Sequence, residues 1–214
     1  MNVFDCITKR RSTRSFSKKS VDDKLIGLML HMATHAPSSG NMQEWEFVIV
    51  KDEKQKKKLS SVALRQDFVH KAPVVIVVCA DLGKANLRYE KRGESLYAIQ
   101  DTANATMLIL LSAHALGLST CWVGAFDEDA VKMALELPEN LRPLAIVPVG
   151  YSLETPKMPE RMPFDNLTSV NKHGKRYDIS YFTQPPPTGK VEIKPIGNII
   201  EDFLKKAKKK ESKD

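Results

Sequence analysis

Three arginines and one serine stand together near the start of the chain, in the sequence Arg-Arg-Ser-Thr-Arg at residues 10–14. Arg10 and Arg14 are four residues apart, so on a helical turn both guanidinium groups would point to the same side. Ser12 could then donate a hydrogen bond between them. Guanidinium groups and hydroxyls are typical partners of phosphate and similar oxyanions. The segment therefore predicts an anion site, and a solvated basic surface is the alternative.

A second polar segment, Ala-Pro-Ser-Ser-Gly-Asn-Met-Gln at residues 36–43, separates a helix-like stretch from a strand-like one. Pro37 ends the preceding helix, and Gly40 permits a tight turn. The side-chain amides of Asn41 and Gln43 can both donate and accept hydrogen bonds. The segment is typical of a loop that holds a polar ligand, although its polar groups could also satisfy one another within a turn.

The two segments, in this order and at this separation, resemble those of the nitroreductase family, whose R-x-S-x-R/K and P-S-S-x-N-x-Q-P-W motifs contact flavin mononucleotide (FMN). The resemblance continues through Asp101, residues 117–124, residues 147–151 and Arg161. One residue departs from the motif, because Glu44 stands where the family usually has proline. This departure concerns the rigidity of the loop and leaves the cofactor donors in place.

The resemblance implies a role for each matching residue. Arg10 and Ser12 would bind the FMN phosphate, and Arg161 would complete that contact from the C-terminal side. Arg14 would approach N1 and the C2 carbonyl of the ring. Serine and asparagine side chains of the second segment would come from the partner subunit. The cofactor-binding residues implied are Arg10, Arg11, Ser12, Arg14, Pro37, Ser38, Ser39, Asn41, Gln43, Arg65, Gln66, Gly124, Ala125 and Arg161.

In the family the chemistry is carried by the flavin, and no catalytic side chain is assigned. The resemblance implies that a backbone amide of Gly124 or Ala125 faces flavin N5, the atom that receives hydride. The sequence contains no G-x-G-x-x-G dinucleotide fingerprint. We therefore expect a ping-pong mechanism, in which NAD(P)H reduces the flavin, leaves, and is replaced at the same site by a nitroaromatic, a quinone or a related acceptor.

Three other functions stay open. A related FMN-fold enzyme could catalyse reductive dehalogenation or flavin fragmentation, but the stretch between Asp81 and Glu94 contains no insertion that matches the usual lid of such enzymes. A non-enzymatic FMN-binding protein would carry flavin without turning over NAD(P)H. A nucleic-acid-binding protein would use the net charge of +7, but no helix-turn-helix, RNA-recognition motif or basic face with interleaved aromatics is apparent.

Composition limits the cellular setting and the metal chemistry. The 214 residues contain no apolar run long enough for a membrane span and no signal-peptide pattern, so we expect a cytoplasmic protein without membrane or nucleic-acid partners. Cys6, Cys79 and Cys121 are widely spaced and are interpreted as core residues. His31 and His35 lack the intervening glutamate of a zinc protease, so no metal is predicted.

Apolar periodicity predicts an α/β (α+β) fold, with helices at residues 3–9, 21–35, 94–116 and 128–137 and strands at residues 45–50, 73–80, 119–123 and 141–151. The third helix is apolar nearly all round, and Ala103, Ala105 and Ala113 would allow a second helix to approach closely. The resemblance implies a central mixed, mainly antiparallel sheet flanked by helices in an intertwined homodimer. Residues 1–182 are expected to form the FMN-binding domain, and residues 183–214 a proline-rich connection and a lysine-rich tail.

Overall fold

The computed structural model describes residues 2–176, which contain all the segments that carry the resemblance. Within them the chain forms two compact units that divide between Met158 and Pro159. The predicted boundary at residues 182 and 183, with the proline-rich connection and the tail that follow it, lies outside the described residues.

The described residues of the first unit form seven α-helices: α1 (Val3–Lys9), α2 (Asp23–Ala33), α3 (Glu53–Val62), α4 (Phe68–Lys71), α5 (Leu82–Arg92), α6 (Ala98–Ala115) and α7 (Glu128–Leu135). The strands are β1 (Trp45–Val50), β2 (Val74–Asp81), β3 (Ser119–Thr120) and β4 (Leu141–Gly150). A short 3-10 turn, Ser39–Asn41, precedes β1, and a π-helical turn, Gly93–Tyr97, joins α5 to α6.

The four strands form one antiparallel sheet in the order β1-β2-β4-β3. The central strand β2 is buried over residues 74–80 and is a continuous apolar run, as a strand covered on both faces must be. Its pairing with β4 changes register between Val78 and Cys79. Within the described residues, parallel pairing occurs at an isolated bridge between Ser12 and Thr120. The predicted fold class, a mainly antiparallel sheet flanked by helices, is confirmed.

Helices cover both faces of the sheet. Alternate residues of β2 point to opposite faces and so contribute to two separate cores. Ile76 and Val78 belong to the core beneath α2 and α6. Val75, Val77 and Cys79 belong to a second core, beneath α3, α4 and α7. The result is a three-layer unit with the sheet between two layers of helices.

The long helix α6 is buried on one side only in this chain. Ala105 and Ala113 are fully buried in the chain's own core, so the prediction that these two residues line a contact with a second helix is wrong. The outer side instead carries Ile99, Ala103 and Met107, which are spaced by four residues and therefore share one face. Ile99 is 37% exposed and Met107 is 42% exposed.

Three helices differ from prediction at their ends: α7 ends at Leu135, before Glu136 with its φ of 54°, and the other two differ for the following local reasons. The helix α2 begins after Asp22, whose carboxylate accepts a hydrogen bond from Lys24 N–H at 2.8 Å and so caps the first turn. The helix predicted over residues 94–116 is a π-helical turn followed by α6. The turn begins at Gly93, which packs so closely on Ala85 that an added Cβ would overlap its carbonyl group.

The described part of the second unit is short. It contains a 3-10 helix, Phe164–Leu167, and a bridge between Ser169 and Arg176. Gly174, with a φ of 81°, lies in the turn between the two bridged residues. None of the helices formed by residues 2–176 is both long enough and apolar enough to cross a lipid bilayer.

Candidate functional site

The arginine segment is extended and runs beside β3. Ser12 forms a parallel bridge with Thr120, and Thr13 N–H donates to Thr120 O at 2.9 Å. The expectation of a helical turn is therefore wrong for this segment. An extended backbone alternates its side chains, so Arg10, Ser12 and Arg14 still lie on one side, while Thr13 is buried on the other.

Two groups beside the segment, buried Cys121 and partly buried His114, respond to its positive charge. Burial raises the pKa of the Cys121 thiol, while Arg14, a hydrogen bond with Ser12, and Arg10 lower it in part. Burial lowers the pKa of His114, and the charge of Arg10 adds to that effect. The charge of Arg10 therefore lowers the pKa of both Cys121 and His114. Positive charge is thus concentrated between the end of α6 and β3.

Arg11 is turned back onto the end of α1. Its Nη1 atom donates to Thr8 O and to Arg10 O, both at 2.7 Å. The last carbonyl groups of a helix carry partial negative charge, so a cation is favourable there. Arg11 thus fixes the point at which the extended segment leaves α1.

A second stretch of chain, around Gln66 and Phe68, contacts Arg14 and the loop before α7. The guanidinium carbon of Arg14 lies 5.8 Å from the centroid of the Phe68 ring, at the start of α4. Gln66 Nε2 donates to Ala63 O at 2.9 Å and to Ala125 O at 3.2 Å. Gln66 therefore joins the turn after α3 to the loop before α7.

The loop before α7 presents free backbone donors. Gly124 and Ala125 are exposed, and neither N–H donates to an acceptor within residues 2–176. Asp127 closes the loop, since its N–H donates to Val62 O at 3.0 Å and its carboxylate caps α7. Arg65, with a φ of 57°, is exposed in the turn next to Gln66. We name one group the arginine cluster: Arg10, Ser12, Arg14, Gln66, Gly124 and Ala125.

The second motif forms a loop, residues 37–43, which we call the serine loop. Ser38 Oγ accepts from Gln43 N–H at 3.1 Å, and Asn41 Oδ1 accepts from Gln43 Nε2 at 3.0 Å. Gly40, Asn41 and Gln43 all have positive φ. Some polar groups of the serine loop are thus paired with one another by hydrogen bonds, while the side chain of Asn41 remains exposed.

The start of α6 holds the first half of the serine loop. Ser39 N–H donates to Asp101 Oδ2 at 2.6 Å, and Ser39 Oγ donates to Asp101 Oδ1 at 3.3 Å. Asn104 Nδ2 donates to Pro37 O at 3.4 Å. Because a hydrogen bond to a charged group is stronger than a neutral one, the Asp101 contact is the main anchor on this side.

The helix α5 holds the second half of the serine loop. Arg88 Nη1 donates to Gly40 O at 3.1 Å, and Lys84 Nζ donates to Gln43 O at 3.0 Å. Gly40 has a φ of 56°, and an added Cβ there would overlap the Tyr89 hydroxyl. The backbone at this position therefore favours glycine, and a larger residue would also displace the Tyr89 side chain.

The serine loop and the arginine cluster lie near opposite ends of α6. Asp101, near the start of α6, holds the serine loop. Near its other end, Leu111 O accepts from the Cys6 thiol at 3.1 Å, and His114 lies in the field of Arg10. An α-helix rises 1.5 Å per residue, so Asp101 and His114 are about 20 Å apart along it. Within one chain, the serine loop and the arginine cluster therefore lie far apart.

Arg161 belongs to the second unit, where its side chain is exposed. Its contact with a phosphate stays a prediction.

The sequence did not reveal the contact of Phe68 with Arg14, because the residues around Phe68 form no recognisable sequence pattern.

Glu44 is a second residue whose place was not foreseen. Its side chain is buried and contacts that of Asp101. A signal was present in the sequence, because Glu44 replaces the usual proline of the motif and is followed directly by the apolar strand β1.

Known proteins share this architecture. The model of the Nitroreductase family matches residues 7–66 and 60–151. An NADH dehydrogenase of Thermus thermophilus is 32% identical over 188 residues, which cover 74% of this chain and 91% of that protein. The FMN reductase (NADPH) of Bacillus subtilis is 26% identical over 199 residues, with 85% and 80% covered. The structure of NfrA2 from B. megaterium superposes with a TM-score of 0.76 at 26% identity, covering 81% of this chain and 76% of that one.

The matched residues contain all four strands of the sheet, the extended arginine segment and the serine loop. Architecture, motifs and family model thus agree on one class of α/β protein. This chain belongs to the nitroreductase family, and the resemblance drawn from its motifs is confirmed.

Proposed function

We propose that this protein is an FMN-dependent oxidoreductase, which takes hydride from NADH or NADPH and passes it through flavin N5 to a nitroaromatic, a quinone or a related acceptor. Family membership supports the proposal, as do the names of the two relatives, an NADH dehydrogenase and an FMN reductase (NADPH). The observation that carries it is the arginine cluster, which gathers cations, a hydroxyl and free backbone amides.

The donors of the arginine cluster fit the parts of FMN. A phosphate dianion favours guanidinium and hydroxyl donors, which Arg10 and Ser12 offer on one side of the extended segment. Arg14 offers positive charge for N1 and the C2 carbonyl of the ring. The free N–H groups before α7 offer a donor for N5. When bound, FMN supplies two-electron hydride chemistry at N5.

Hydrogen bonds fix these donors before any ligand arrives. Thr13 N–H and Thr120 O hold the extended segment against β3. Gln66 Nε2 holds Ala125 O, and Asp127 N–H holds the other end of that loop. Donors that are already ordered lose little conformational freedom on binding, and they can stabilise charge without reorganising.

We also propose that each cofactor site is shared between two copies of the chain in a homodimer. The separation of the serine loop from the arginine cluster within one chain supports this proposal. Exposed apolar side chains support it too, because α1 exposes Val3, Phe4 and Ile7, and α6 exposes Ile99 and Met107. A second chain would cover such surfaces.

Mixing two defective subunits tests the shared site. Arg10→Ala removes a donor from the arginine cluster, and Gly40→Val distorts the serine loop. In a mixed dimer one site carries both changes and the other carries neither. Random exchange of subunits is expected to restore about a quarter of the wild-type activity. Mixing Arg10→Ala with Arg14→Ala is the control, and it should restore none, because both changes then fall in the same group.

Steady-state kinetics test the proposed reaction. With NADH or NADPH and a quinone or nitroaromatic acceptor, double-reciprocal plots should give parallel lines, because donor and acceptor use one site in turn. Intersecting lines would contradict the ping-pong mechanism. Flavin binding without any turnover of NADH or NADPH would contradict the proposed activity and favour a flavin carrier.

A further inference from the structure

The serine loop is followed directly by a buried pair of carboxyl groups. Glu44 is 1% exposed and Asp101 is 4% exposed. The Glu44 carboxyl lies within hydrogen-bonding reach of the Asp101 carboxyl. Both Asp101 oxygens accept hydrogen bonds from Ser39. Glu44 Oε2 has no hydrogen-bond partner within residues 2–176.

A proton on Glu44 satisfies all these contacts. Two ionised carboxylates that touch in a buried site repel each other, and one shared proton removes the repulsion. Asp101 already acts as an acceptor toward Ser39, so the proton belongs to Glu44. Burial raises the pKa of Glu44 above its ordinary value of 4.5; its own backbone N–H lowers it in part, and contact with Asp101 raises it further.

Other charged groups near Glu44 do not take the place of this proton. Lys84 on α5 lowers the pKa of Glu44 least among these influences, and its Nζ donates to Gln43 O. Asp81, at the end of β2, donates its N–H to Glu44 O at 2.7 Å, while its carboxylate accepts from Lys84 N–H at 3.0 Å. The shared proton is thus the contact that joins Glu44 to α6.

We propose that protonated Glu44 is a positioning residue for FMN binding. Its O–H donates to the Asp101 carboxylate, Asp101 holds Ser39, and Ser39 fixes the serine loop. When Glu44 releases its proton to solvent as the pH rises, the two carboxylates repel and the serine loop loses this anchor. The inference rests on the proposed function. It concerns a residue of this chain in particular, because the family motif usually has proline here.

Measurement of FMN affinity between about pH 5 and pH 9 tests the inference. Wild-type protein should lose up to about tenfold in affinity for each pH unit above the Glu44 pKa, the limit for release of one proton. Glu44→Gln keeps an N–H donor for Asp101 and does not titrate, so this decline should be absent. Because titration of the FMN phosphate is common to both proteins, the ratio of their affinities is the readout.

Glu44→Met separates positioning from titration. Methionine has similar length but no donor, so this variant should bind FMN weakly at every pH. A wild-type profile that runs parallel to that of Glu44→Gln would overturn the inference. Equal affinity of the Gln and Met variants for FMN would also overturn it.

The apo-protein provides a readout that needs no flavin. The stability that protonated Glu44 contributes is complete below pH 4.5 and is lost as the pH rises through its raised folded-state pKa. The Tm of Glu44→Gln minus that of wild type should therefore be smallest in acid and grow with pH. Fluorescence of the buried neighbour Trp45 should change over the same range in wild type only.

The FMN-binding and apo-protein measurements together distinguish failure of the positioning role from failure of the proposed function. FMN that binds with no difference between wild type and Glu44→Gln would refute the positioning role alone. FMN that fails to bind at any pH would refute the proposed function and the positioning role with it, even if the apo-protein shows the expected pH dependence.

Discussion

Replacement of Arg10 by alanine is expected to weaken the binding of FMN while leaving the binding of riboflavin nearly unchanged. Arg10 lies on the same side of the extended segment as Ser12 and Arg14, and we propose that it donates to the phosphate, which riboflavin lacks. A hydrogen bond between charged groups contributes about 1.5–3 kcal/mol. The dissociation constant for FMN should therefore rise roughly 10- to 150-fold.

The two ligands and the variant form a thermodynamic cycle, which isolates the contact between Arg10 and the phosphate. Titration by quenching of flavin fluorescence gives the four dissociation constants. Lys9→Ala is the matched control, because Lys9 is the adjacent cation, is exposed, and is paired with Asp5 at 2.8 Å. It should change both affinities little. An equal loss for FMN and riboflavin in Arg10→Ala, or equal affinity of wild type for both, would refute the reasoning.

Three further changes have expected outcomes. Lys56→Met should lower the free energy of unfolding in urea by about 1–3 kcal/mol, because its buried Nζ donates to Ala72 O at 2.8 Å; exposed Lys57→Met should not. The Arg142 side chain lowers the pKa of Glu128 through hydrogen bonds at 2.8 and 2.9 Å. The pair, worth at most about 1 kcal/mol at a partly exposed site, stabilises the fold above pH 4.5 and loses this effect as the pH falls through the lowered pKa. An unchanged pH dependence of Tm in Glu128→Gln would contradict this. Finally, dilution should dissociate the dimer and release FMN together, and a flavin-loaded monomer in light scattering would contradict the shared site.

Elements with a simple burial pattern could be predicted from the sequence. The helix α1 and the strand β1 begin and end as predicted, and β2 is evident as an apolar run between polar turns. The strand β3 could not be delimited in this way. It was expected to reach residue 123 but ends at Thr120, and Val123 forms an isolated bridge with Ile146. The length of an edge strand depends on its neighbour, which is remote in the sequence.

The arginine segment shows how the shared side of three residues can be predicted from the wrong local structure. Residues spaced by four share one side of a helix, but residues spaced by two and four also share one side of an extended chain. Arg10, Ser12 and Arg14 satisfy both patterns, so the sequence alone does not distinguish them. The pairing of Ser12 with Thr120 shows that the segment is extended. This contact joins segments that are distant in sequence, so the local pattern does not predict it.

Composition predicted the exposure of α6 poorly. Its residues are apolar nearly all round, so no polar face marks which small side chains meet the sheet. Ala105 and Ala113 turn inward, and Ala103 lies on the outer face. The buried contact of Glu44 with Asp101 was indicated in the sequence only by the departure of Glu44 from the motif, and a charged side chain is rarely buried unless it is paired.

The visible spectrum of the purified protein during anaerobic addition of NADH or NADPH tests the central claim most directly. The proposed function predicts a yellow protein, either as isolated or after reconstitution with FMN, with one flavin bound per chain through the arginine cluster. Its flavin absorption bands should bleach when NADH or NADPH is added. A protein that takes up no flavin from excess FMN, or flavin bands that persist with both nucleotides, would contradict the claim.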